Sequence, residues 1–97
     1  MNKHRRKAIY NCIKLLSSQD PDLESIEYDI TSILEEEDEY RDNMPENLQG
    51  GERYSDSEAA SDSLNDAILY IQDAISDENE SSRKESIKKA ILALGEI

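Results

Sequence analysis

The chain has 97 residues, enough for one small domain with a thin core. Phe and Trp are absent and Tyr supplies all five aromatics, so the core must come from Ile, Leu and Ala, which suits helices better than a β-sandwich. With 23 acids against 11 bases the formal net charge is −12, which argues against direct binding to nucleic acid or an anionic membrane and favours a basic protein surface or cations.

The charge is unevenly placed. Residues 1–16 hold Lys3, Arg5, Arg6, Lys7 and Lys14 with no acid, whereas residues 17–82 hold 21 acids against Arg41 and Arg53 alone. Residues 83–97 return to a small positive balance, four bases against Glu85 and Glu96. The opening segment carries His4 and the single cysteine, Cys12. Asn11 and Lys14 interrupt its apolar positions, so it predicts neither an export signal nor a membrane span. A lone cysteine excludes an intramolecular disulfide and suits a reducing cytoplasm; Cys12 reads as a small core residue.

The first predicted helices cover 3–18 and 21–42. Ile9, Cys12, Leu16, Leu23, Ile26, Ile30, Ile33 and Tyr40 recur in alternating steps of three and four once Gln19 and Glu37 fill the gaps. That is a heptad seam. Pro21 interrupts it and predicts a kink or brief break, with Asp20 as N-cap and Pro21 at the first helical position. A structured loop over 43–54 follows. Pro45 disfavours helix at Met44, and Gly50 and Gly51 can take the positive φ that other residues resist.

The second half predicts helices over 55–77 and 82–95, each opened by a capping box, Ser55 with Glu58 and Ser82 with Glu85. Leu64, Ile68, Ile71 and Ile75, then Ile87, Ile91 and Leu94, supply their apolar stripes, and Gly95 is the expected stop. The predicted fold is all-α: an antiparallel helical hairpin with both arms broken, near Pro21 and at 78–82. It forms either a small bundle with its ends folded back or a bent coiled coil.

Candidate sites follow from charge and from the loop. Glu35, Glu36, Glu37, Asp38 and Glu39 form the densest acidic run, and Glu35, Glu36, Asp38, Glu39 and Asp42 are the candidate partner-binding face. No calcium-loop spacing, glycine-rich phosphate loop or activated nucleophile accompanies it, so neither catalysis, a cofactor nor a metal is expected. The plain reading is a solvated or protein-binding face. The sharper one is nucleic-acid mimicry: residues 20–46 hold 12 acids, on a helix about one per 3.4 Å, close to the phosphate spacing of a DNA strand. In the loop, Arg41 and Arg53 are placed to clamp carbonyls or nearby acids, while Met44, Leu48 and Tyr54 are placed to plug the open end. A structured plug and a partner-recognition loop both remain open.

The stretch EEEDEYRDNMPENLQGGERYSDSEAASDSLNDAI, with its loop similar to YRDNMPENLQGSERY, resembles small acidic helical proteins of unknown function from phages and mobile elements of Gram-positive bacteria. The likeness covers about residues 33–76, and Gly51 stands where that pattern has Ser. It implies a phage or mobile-element accessory protein in the bacterial host cytoplasm. The resemblance supplies no activity. The acidic face read from the residues predicts binding to a basic surface of a host protein. Its sharper form is a nucleic-acid mimic inhibiting a nuclease or defence system, of anti-CRISPR or anti-restriction type. The alternative is a structural or adaptor homodimer whose seams pair.

Overall fold

The computed structural model describes all 97 residues. It is all-helical: α1 (Lys3–Leu16), α2 (Leu23–Asp42), α3 (Glu52–Ser76) and α4 (Glu80–Gly95), with a 3-10 turn at Glu46–Leu48.

Local chemistry sets the boundaries, not always where the sequence pattern put them. α1 opens at Asn2, whose side chain accepts from the Arg5 amide at 2.8 Å. α2 is capped by Asp22, which accepts from the Ser25 amide at 3.2 Å, and not by Asp20. Pro21 thus lies outside the helix, where its missing N–H interrupts no helical bond. α3 starts three residues before the expected capping box, with Gly51 at the cap position, so Ser55 falls within the first turn and bonds the Gly51 carbonyl through its amide. α4 is capped by Asn79, which accepts from Ser82, so the expected Ser82 box is not used.

The connector between α2 and α3 is therefore shorter than predicted, residues 43–51. No glycine takes a positive φ. Instead the loop closes through short-range bonds, Leu48 N–H to the Pro45 carbonyl at 2.9 Å and Gly51 N–H to the Leu48 carbonyl at 3.1 Å. Gly51 answers to space: a Cβ there would meet the Leu48 carbonyl oxygen at 3.2 Å.

Side-chain bonds fix how the helices run. Arg5 near the start of α1 bonds Glu37 near the end of α2, so the chain reverses across residues 17–22 in place of kinking. Arg41 near the end of α2 bonds Ser57 and Ser61 near the start of α3. Arg6 bonds the carbonyl of Ile97 at 2.8 Å, which brings the end of α4 beside the start of α1. Successive helices pack against one another and α4 also packs on α1, in a body 49 × 19 × 18 Å. The breaks near Pro21 and Asp77 lie together at one end, where Pro21, Ala74 and Arg83 line a common depression.

Most apolar seam positions turn inward. Ile9, Cys12, Leu16, Ile26, Ile30 and Ile33 are buried with Leu64, Ala67, Ile71, Ala90 and Leu94. Each buried Ile or Leu contributes about 1.5–3 kcal/mol. Ala67, Ala74 and Ala90 are fully buried, their size allowing close approach of the helices. The buried seam positions pack inside the chain.

Candidate functional site

Glu37 falls on the seam one heptad step after Ile33 and Ile30, so the helix carries its carboxylate into the interior. It is fully buried. Arg5 Nε donates to Oε1 at 2.9 Å, Ser57 Oγ donates to Oε2 at 2.5 Å, and the Met1 ammonium lies 3.4 Å from Oε2. Burial pushes this carboxyl up, but the hydrogen bonds from Ser57 and Arg5, with the positive charges of Met1 and Arg5, outweigh it. The net effect holds Glu37 below the usual glutamate value. Arg5 is itself buried, and its guanidinium stands 5.3 Å from the Tyr40 ring centroid, a cation–π contact.

One turn after Glu37, Arg41 faces the same way. Its Nη1 donates to Ser61 Oγ at 2.8 Å and to the Ser57 carbonyl at 3.1 Å, and its Nη2 to Asp38 Oδ1 at 2.8 Å. Ser61 Oγ donates to the same Asp38 oxygen, and Ser57 Oγ accepts from Arg41 at 3.2 Å while donating to Glu37. A continuous polar chain thus joins α1, α2 and α3. Arg41 clamps α3, not the loop as its position in the sequence suggested. The reason is spacing: Glu37 and Arg41 are one turn apart on α2, and Ser57 and Ser61 are one turn apart on α3. Sequence reasoning treated Glu37 as a gap in the seam and missed Arg5, Ser57 and Ser61. The available signal was an acid at a core position, which requires a cation and donors beside it.

The loop residues divide. Met44 is buried, as a plug requires, but Leu48 is 51% exposed and Tyr54 half-buried. Leu48 therefore does not close the end; the short 3-10 turn swings it outward. Arg53 is exposed and does not clamp the loop. With Tyr40, Met44, Pro45, Leu48 and Glu52 it lines an open groove of about 800 Å³.

Of the acidic run, Glu35, Glu36, Glu39 and Asp42 are exposed, while Asp38 is partly turned toward α3 by Arg41 and Ser61. The neighbouring α3 adds Glu58, Asp62, Asp66 and Asp73, all exposed. α2 and α3 together hold fifteen acids against Arg41 and Arg53, and the charge of Arg41 is spent on the interior chain. No group of three or more His, Cys, Asp or Glu side chains is arranged to hold a metal ion. Cys12 is buried, and burial with the nearby Asp29 charge pushes its thiol up to about 11, so it is a packing residue and a poor nucleophile.

Compared with protein-family models, curated proteins and solved structures, the chain matches none. No helix is long and apolar enough to cross a membrane.

Proposed function

We propose that the chain is a folded-back bundle of four helices that works as a non-enzymatic binding protein, of the accessory type carried by phages and mobile elements in a bacterial cytoplasm. Its α2/α3 face engages a basic surface of a host protein, such as the nucleic-acid channel of a nuclease or defence system. One observation carries the reading. Glu35, Glu39 and Asp42 share one face of α2, with Glu36 at its edge, and α3, packed against α2, carries the Glu58, Asp62 and Asp66 stripe, all exposed. Packed helices lie about 8–10 Å apart, so the acids form two parallel rows of negative charge, as phosphates do. The bonding of Arg41 to Ser57, Ser61 and Asp38 ties the two helices together and turns that cation inward, which leaves Arg53 at the start of α3 as the one exposed base on them.

Such binding falls steeply with added salt and competes with DNA or RNA for the partner. The test is capture of the host partner by the wild-type chain and by a Glu36→Lys/Glu39→Lys/Asp42→Lys variant. The reading requires wild-type capture that nucleic acid displaces and the variant loses. Salt-insensitive capture that nucleic acid does not disturb removes mimicry.

A further inference from the structure

The opposite side of the molecule is the reverse of the acidic face. α1 and α4 hold nine bases against Glu80 and Glu85, and they lie next to each other. On α1, Lys3, Lys7, Tyr10 and Lys14 follow one another at helical spacings of four, three and four, and all four are exposed. On α4, Lys84, Lys88 and Leu92 do the same at steps of four. Among these lysines only Lys84 has an ion-pair partner, an exposed Glu80 at 3.6 Å. The body is 18–19 Å thick, more than two Debye lengths at ~8 Å in physiological salt. Each face therefore acts on a partner through its own charge, whatever the net −12.

Both faces also carry an apolar centre. Tyr10 is 63% and Leu92 69% exposed on the basic side; Tyr28 is 74% and Leu69 57% exposed on the acidic side. The bonds between helices put each pair at one level. From the Arg6–Ile97 bond, Tyr10 lies one turn into α1 and Leu92 slightly more than one turn back along α4. From the Arg41–Ser57 bond, Tyr28 lies thirteen residues back along α2 and Leu69 twelve residues along α3. The heights of the latter two agree within about one residue rise, ~1.5 Å. On the acidic face the apolar pair is flanked by Glu24 and Asp73 on one side, and by Glu35, Asp62 and Asp66 on the other. Lysines flank the apolar pair on the basic face in the same manner. The basic face is as long as its helices, 14 residues for α1 and 16 for α4, about 21 and 24 Å. Across the 19 Å width of the body it spans roughly 450 Å², the size of a small, weak and reversible contact. An apolar centre inside a charged rim is the usual anatomy of such a contact.

We propose that the chain self-associates head to tail, the basic α1/α4 face of one copy seated on the acidic α2/α3 face of the next, with Tyr10 and Leu92 against Tyr28 and Leu69. The two surfaces differ, so the contact is heterologous and repeats into an open stack. This goes beyond the host-binding reading. It adds that a basic host surface and a second copy compete for the same acids, and that the acidic end of a stack still presents them.

The experiment is sedimentation of the purified chain alone across a concentration series, at ~10 mM salt, where the Debye length is about 30 Å, and at ~1 M, where it is about 3 Å. The expected result is a mass that grows with concentration at low salt and a monomer at high salt. Two variants at exposed positions locate the contact: Lys7→Glu/Lys14→Glu/Lys88→Glu on the basic side, and Glu35→Lys/Asp62→Lys/Asp66→Lys on the acidic side. Each alone stays monomeric, with helical circular dichroism unchanged. Because each reversal repels the face it normally meets, the contact weakens by at least about tenfold. A mixture of either variant with wild type forms complexes capped at the altered face. A wild-type monomer at low salt, association that survives high salt, or reversals that leave association intact each overturn the proposal. Since no host protein is present, failure here leaves the host-binding reading standing.

Discussion

Two regions of α2 use the same residue type for opposite ends. Glu36 and Glu39 face water, where each charge is hydrated and screened, and removing one changes little in the fold. Glu37, between them, is fully buried and held by Arg5 and Ser57. There the charge is desolvated, and its stability rests on every donor being in place. Adjacent glutamates thus differ in energy by more than sequence identity suggests, because one step along a helix turns a side chain by about 100°. The outer acids are free to meet a partner. The inner one holds α1, α2 and α3 together so that the outer ones stay in rows.

The largest expected effect breaks the inner region. Glu37→Ala leaves Arg5 buried without its carboxylate and should cost about 3–5 kcal/mol, read as a lowered midpoint in urea unfolding. A loss under about 1 kcal/mol would show that water or neighbouring acids replace Glu37.

Acid should act on the same group. Glu37 titrates lower in the folded chain than in the unfolded one, so its contribution is present above the unfolded glutamate value, about 4.3. It is lost as pH falls through the lower folded value. Unfolding midpoints measured from neutral pH downward should show this loss below about pH 4.3, and Glu37→Gln should remove that part of the profile. A profile identical to wild type would contradict the assignment.

The loop offers a smaller contrast between inside and outside. Met44 is 8% exposed and Leu48 51%. Met44→Ala should destabilise by about 2 kcal/mol and Leu48→Ala by less than about 0.5 kcal/mol, both by thermal melting. Equal costs would mean that Leu48 packs in solution and plugs the end after all.

The smallest effect on stability sharpens the outer region. Glu36→Lys/Glu39→Lys should change stability by no more than about 0.5 kcal/mol per site, while abolishing partner capture. A large loss of stability would make these acids structural, and the binding result would then say nothing of recognition.

Much of this was legible in the residues. The all-helical character followed from composition and period, and the four segments fall within three residues of the predicted ends. The misses share a cause. Asp20, Ser55 and Ser82 each had the right chemistry for a cap, yet Asp22, Gly51 and Asn79 stood nearby, and a helix starts wherever the preceding chain can enter it. Likewise the heptad seam reads the same whether it runs on past Pro21 or doubles back, because period carries no information about direction. Of the candidate site, the exposed Glu35, Glu39 and Asp42 could be read from spacing, but not that Asp38 in the same set turns toward α3 and Glu37 into the core. The partners of Glu37 could not, since Arg5 and Ser57 lie 32 and 20 residues away.

By itself the sequence determined that this chain is helical, that its core is built of Ile, Leu and Ala, and that acid gathers in its middle and base at its ends. Those are properties of composition and local spacing, and they hold in any arrangement of the helices. Only the tertiary structure decided that the ends lie together, which turns a charge gradient along the chain into two opposed faces. It also decided which of five consecutive acids is withdrawn from water. Both follow from contacts between residues far apart in the chain, where loop reversal and packing choose the neighbour.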